Sequence, residues 1–129
     1  MLDLSAAFDT VPHDILLDRL SRRYGITGSV QEWFASYLIS SRIQFVQIEC
    51  SRSSLRELNC GVPQGSVLGP LLYVLYTSPV ADIIKKHNLL YHLYADDTEL
   101  YVSFKLGSHD LLSSAKFSIE MCVQEINTN

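Results

Sequence analysis

The sequence predicts an α+β fold in which helices cover one face of a mostly antiparallel sheet, and three observations carry that expectation. Apolar residues recur at helical spacing in several long stretches, short runs rich in Val, Ile, Phe and Tyr lie between them, and polar turns join those runs in pairs. Paired strands beside amphipathic helices are the material of an α+β sandwich rather than of a parallel sheet. At 129 residues and 47% hydrophobic, the chain is one domain or a piece of one and can build a core.

Taken in order, Leu2-Asp3-Leu4-Ser5-Ala6-Ala7-Phe8-Asp9 reads as a strand interrupted by a charge. A carboxylate inside an apolar run must be paired or metal-bound. Met1 stands just before Asp3, so the strand is expected to be clipped, since strands usually run about five or six residues. Residues 14–24 place apolar side chains on one helical face, with Arg22-Arg23 in the last turn and Gly25 as the cap. A second helix is predicted over 29–39, where Val30, Trp33, Phe34, Tyr37 and Leu38 recur at three and four, and Trp33 is expected in the core.

Residues 43–48 and 54–59 read as two strands joined by a turn at 49–53. They lead into Gly61-Val62-Pro63-Gln64-Gly65-Ser66-Val67-Leu68-Gly69-Pro70, a glycine-rich loop entering a helix with Pro70 in its first turn. The helix is predicted over 70–76. Ser78-Pro79 then reads as the N-cap and first turn of a second piece running to about His87, with Asn88 at its C-terminus. Residues 89–94 and 99–104 read as strands flanking Tyr94-Ala95-Asp96-Asp97, and 110–127 as a last helix.

Ten basic residues against fourteen acidic ones leave a net charge of −4, which argues against autonomous nucleic-acid binding. The adjacent basic pairs, Arg22-Arg23 and Lys85-Lys86, sit near expected helix ends and suit the helix dipole. Cys50, Cys60 and Cys122 show no zinc spacing and no disulfide framework, so small buried thiols in a reducing compartment are expected. No signal peptide or membrane span is evident, which predicts a soluble intracellular protein without choosing between nucleus and cytoplasm.

A lone Asp-Asp pair at a turn has a plain explanation, because Asp bonds its own backbone there. For Asp3 the plain alternative is a cap or one half of a salt bridge. Asp9, before Thr10-Val11-Pro12-His13, reads as a turn or capping residue. His13 and His92 have no nucleophile or metal-spaced partner and read as polar surface or satisfied core histidines.

The three stretches together say more. Leu-Asp-Leu-Ser-Ala-Ala-Phe-Asp, then Gly-Val-Pro-Gln-Gly-Ser, then Tyr-Ala-Asp-Asp, in that order over roughly residues 1–105, resembles the palm of reverse transcriptases. The wording of the first two is similar to the non-LTR, LINE-type retrotransposon branch; group II intron maturases and telomerase-like polymerases match it less well. The resemblance implies a polymerase palm-like fold with a Tyr-Ala-Asp-Asp hairpin and RNA-directed DNA polymerase activity. Nucleotidyl transfer builds charge on entering and leaving oxygens, which two hard divalent ions with oxygen ligands stabilise.

The resemblance matches Asp3, Asp96 and Asp97 to the family's metal carboxylates, with Asp3 and Asp96 as the bridging pair, two Mg²⁺ as cofactors and Mn²⁺ as a substitute. It sets Phe8 beneath the sugar, disfavouring a 2′-hydroxyl, although a plain core phenylalanine fits the residues as well. It sets Gln64 against the incoming nucleotide or template base, and leaves Gly61, Gly65 and Gly69 as backbone devices. The implied partners are an RNA template, a DNA primer and deoxynucleoside triphosphates, with no membrane.

Relatives carry fingers upstream and a thumb downstream. Residues 1–129 are therefore expected to be a single partial palm domain, truncated at both ends and inactive in isolation, with exposed apolar surfaces that favour self-association or a complementing polypeptide. The rival expectation is a non-catalytic retrotransposon remnant that serves as an interaction module or has no role.

Overall fold

The computed structural model describes residues 6–40, 42–103 and 109–128. Along them run α1 (His13–Tyr24), α2 (Gly28–Ile39), β1 (Ile43–Gln44), β2 (Gln47–Ile48), β3 (Ser51–Arg52), β4 (Arg56–Glu57), α3 (Leu68–Lys86), β5 (Leu90–Tyr94), β6 (Asp97–Tyr101) and α4 (His109–Thr128). The α+β class holds, and each described ladder is antiparallel. The single sheet expected from the sequence is not what the described residues form: they make three separate two-stranded ladders, β1-β4, β2-β3 and β5-β6. They fall into two compact units, Ala6–Tyr76 and the residues from Thr77 onward.

In the first unit the strand expected through Phe8 gives way to a turn. The N–H groups of Asp9 and Thr10 both close on the Ala6 carbonyl, at 2.9 and 3.2 Å, with Ala6 itself at φ +54°. Helix α1 then follows its sequence signals, with Asp14 in the first turn and Arg22 and Arg23 in the last. Gly25, at φ +67°, ends it, and the N–H groups of Gly25 and Ile26 reach the Ser21 and Leu20 carbonyls at 3.0 Å. Leu16 and Leu20 from α1, Leu38 from α2, and Leu72 and Tyr73 from α3 build the core with Val11 and Val62. Each such side chain contributes roughly 1.5–3 kcal/mol by leaving water.

Trp33 is not in that core; it is 52% exposed, and Val30 on the same stripe is 54% exposed. Helix α2 carries more apolar residues than one face can bury, so Leu38 takes the interior while Phe34 and Tyr37 pack at its margin. Trp33 stacks on Tyr37 instead, with centroids 5.4 Å apart and planes 9° from parallel.

The two strands expected at 43–48 and 54–59 are shorter and broken. Between the pairs Gln44↔Arg56 and Gln47↔Arg52, residues 45–46 face 53–55, so one side carries an extra residue, a bulge that interrupts the ladder. Cys50 and Cys60 are exposed rather than buried; only Cys122 of the three lies inside.

Helix α3 also departs from expectation. Pro79 lies within it and does not end it. A proline in a helix interior costs about 3 kcal/mol. Leu72 and Tyr73 before it and Ile84 after it are all buried, and together they outweigh that cost. The helix stops where Asn88 takes φ +55°: the Asn88 N–H bonds the Lys85 carbonyl at 3.0 Å, and the Leu89 N–H bonds that of Ile84 at 3.3 Å. Ile84 and Leu89 share one apolar cluster, the side-chain contact that accompanies this ending.

The second unit packs Ile84, Leu89 and Cys122 inside, with Tyr91 and Leu100 from the β5-β6 ladder and Ile119 and Ile126 from α4 around them. Glu125 on α4 accepts from Lys86 Nζ at 2.8 and 3.0 Å and pairs with His87 Nε2 at 2.9 Å. The Lys86 bond first, then that of His87, holds the Glu125 carboxyl below its usual range, while burial pushes the Cys122 thiol up. Among the described residues no helix is long and apolar enough to cross a membrane.

Candidate active site

The acidic residues sit on the second unit. Strands β5 and β6 pair in register from Leu90↔Tyr101 to Tyr94↔Asp97, which leaves Ala95-Asp96 as a two-residue turn. Ala95 is at φ +52°, where a residue with a Cβ is held only by its surroundings and stores on the order of 1 kcal/mol. Alternation then sorts the side chains. Tyr91, Thr98 and Leu100 point to the core side, where Thr98 is 8% exposed. Tyr94, Asp97 and Tyr101 take the opposite face, and Tyr94 and Tyr101 are 74% and 51% exposed.

Asp97 therefore projects away from the apolar interior, and Asp96 lies beside it in the turn, both half-buried. No described residue forms an ion pair or hydrogen bond with either carboxylate. Among the described residues no group of three or more His, Cys, Asp or Glu side chains forms a metal cage. Asp3, the third expected ligand, lies outside the described residues, and so does its expected pairing with Asp96. As a donor set, two adjacent carboxylates suit Mg²⁺, which takes hard oxygen ligands and is commonly held by one or two carboxylates plus water and phosphate oxygens.

Phe8 and Gln64 sit on the first unit. Phe8 is half-buried and stacks on Tyr73, so its ring belongs to the margin of the core. The segment carrying it is zipped to the glycine loop: Val62 N–H donates to the Phe8 carbonyl and Gly61 N–H to that of Val11, both at 2.8 Å. Gly61 is at φ +87°, and a Cβ there would stand 2.9 Å from the Asp9 carbonyl oxygen, so no other residue fits without a shift. Farther along, Ser66 Oγ accepts from Gly69 N–H at 2.9 Å and thereby caps the start of α3.

Three residues outside the expected site, Asp9, His13 and Arg42, complete this loop. Gln64 Nε2 donates to Asp9 Oδ1 at 2.9 Å. The Gly61 carbonyl accepts from His13 Nε2 at 2.8 Å and from the Arg42 guanidinium. His13 is thus a satisfied core histidine, one of the two readings its sequence allowed, but it serves the loop. No local sequence signal points to this, since its partner lies 48 residues away.

The chain belongs to the reverse transcriptase (RNA-dependent DNA polymerase) family, whose profile it matches over residues 1–126. It is 34% identical over 110 residues, 81% of its length, to the RNA-directed DNA polymerase from mobile element jockey of Drosophila melanogaster. It is 35% identical over 79% of its length to the probable RNA-directed DNA polymerase from transposon BS of the same fly, and 36% over 74% to that from transposon X-element. The chain spans 12% of the length of the jockey and BS proteins and 10% of the X-element protein.

Proposed function

We propose that this chain is a palm segment of an RNA-directed DNA polymerase from a non-LTR, LINE-type element, extending a primer 3′-hydroxyl on an RNA template with deoxynucleoside triphosphates. One observation carries the reading: Asp96, in the two-residue turn, and Asp97, the first residue of β6 and on the face away from the core, stand side by side with no described cation against them. Structural acids are paired or dispersed; two carboxylates held together at a part-exposed tip suit a cation. Asp96 and Asp97, joined by Asp3, would hold two Mg²⁺, whose chemistry is to stabilise charge on the entering and leaving oxygens.

The protein groups supply the rest. Phe8, steadied by Tyr73, would present its ring edge to the sugar, and Gln64 would offer an amide donor and acceptor to the nucleotide or template base. A net charge of −4 leaves little to hold a triphosphate or a duplex, so the 129-residue chain alone would not extend a primer. The test is a primer-extension assay with Mg²⁺ and deoxynucleotides, on the chain alone and within a full-length polymerase such as that of jockey carrying this segment. Synthesis by the full-length form that survives Asp97→Ala would refute the assignment.

A second reading is favoured by the exposed apolar side chains Val30, Trp33, Val46 and Ile48. They suit a remnant that self-associates or joins a complementing polypeptide without catalysis.

A further inference from the structure

We propose that His13 and Arg42 are positioning residues for the loop that bears Gln64: by donating together to the Gly61 carbonyl, they fix where the Gln64 amide is presented to a nucleotide. The inference rests on the nucleotide role proposed for Gln64 and deepens it. Gly61 is the pivot of the loop. Its φ of +87° belongs to the most permissive residue in the chain, and nothing in glycine itself holds the following peptide plane in one orientation.

The surroundings do so from both sides. On one side of that plane the Val62 N–H donates to the Phe8 carbonyl at 2.8 Å, and on the other the Gly61 carbonyl, with two lone pairs, takes His13 Nε2 at 2.8 Å and the Arg42 guanidinium. Three residues on, the exposed Gln64 side chain is held by Asp9. A rotation of the Gly61–Val62 peptide would break both carbonyl bonds and the Val62 N–H bond to Phe8, and would carry Gln64 with it.

Packing alone does not account for the two donors. His13 is 4% exposed, yet beside it opens a cleft of about 300 Å³ lined by His13, Asp14, Arg42 and Glu57 among others. Arg42 is therefore not there to fill space. It reaches past an open cleft to one backbone oxygen, and His13 Nε2 must carry its proton to reach the same atom. Leu16 and Leu20 already anchor α1, so the imidazole is free to serve the loop.

The test uses the 129-residue chain by NMR, comparing wild type, His13→Ala, His13→Gln and Arg42→Ala. Amide exchange at Gly61 and Val62 should quicken roughly tenfold or more in His13→Ala and Arg42→Ala, the change expected on losing a buried hydrogen bond, while amides of Leu20 in α1 and Cys122 in α4 keep their rates. His13→Gln, which restores a donor, should recover most of the protection. In a full-length polymerase carrying this segment, with primer, template and Mg²⁺, His13→Ala should weaken dATP affinity, and in a Gln64→Ala background that His13 effect should vanish. Equal quickening of α1 and the loop would mark His13 as merely structural and overturn the proposal; so would an undiminished His13 effect without Gln64. If Gln64→Ala leaves dATP affinity of the full-length polymerase unchanged, the nucleotide role of Gln64 fails, and the exchange rates alone still decide whether His13 and Arg42 hold the loop.

Discussion

Phe8 stacks on Tyr73, with ring centroids 4.6 Å apart and planes 26° from parallel. The contact fastens the turn at 6–10 to α3, so a residue proposed to meet the sugar also supports the core margin. Phe8→Ala should lower stability by about 2–3 kcal/mol, less than the 3–5 typical of a fully buried phenylalanine because the ring is only half-buried. Phe8→Tyr, which keeps the stack, should lose less than about 1 kcal/mol. Urea unfolding of the three proteins checks this, and an unchanged midpoint for Phe8→Ala would remove the structural role.

Gly61 and Gly65 both take positive φ, at +87° and +75°, but differ in room: a Cβ on Gly61 meets the Asp9 backbone at 2.9 Å, and one on Gly65 meets nothing within 4 Å. Gly65→Ala should cost about 1 kcal/mol of backbone strain, whereas Gly61→Ala adds an overpacking term of about 1–3 kcal/mol. Melting temperatures should therefore rank wild type, Gly65→Ala, Gly61→Ala in falling order, and a reversal would contradict the close approach.

Glu125 gives the second unit an acid dependence. Its carboxyl is held low by the Lys86 bond and then by His87, so the folded chain binds the proton less readily than the unfolded one. That contribution is present above the ordinary carboxylate pKa and is lost as pH falls through the lowered folded value. The stability gap between wild type and Glu125→Gln should close between about pH 4.5 and lower values in thermal scans, with a small amplitude because the pair is solvent-screened. Cys122 has the opposite sign. Its thiol is raised by burial first and by Glu125 second, so its contribution is intact below the ordinary thiol range and fades as pH climbs above it.

What the sequence made legible was local. Helix α1 begins one residue before its expected start and ends at Gly25, and Asn88 stops α3, because periodicity and caps are written within a few neighbouring residues. Pro79 misled for the same reason: as a local signal it starts a helix, and only burial on both sides of it shows that α3 continues. Strand β6 begins at Asp97 rather than Glu99, since pairing with Tyr94 extends the ladder to the turn. Trp33 misled because helical spacing shows which residues share a face, not how wide a face the protein covers. The bonds that hold the glycine loop join residues 48 and 55 apart, and no spacing rule reaches so far.

Thermal unfolding with and without Mn²⁺, in wild type and Asp96→Asn, tests the central claim most directly. Two adjacent carboxylates without a described cation repel each other, so Asp96→Asn should melt higher than wild type in metal-free buffer. Mn²⁺ at about ten times its Kd should add about 1.4 kcal/mol to the wild type, several degrees in melting temperature, and distinctly less to the variant. An equal response to Mn²⁺ in the two proteins would contradict a metal-binding hairpin at Asp96 and Asp97.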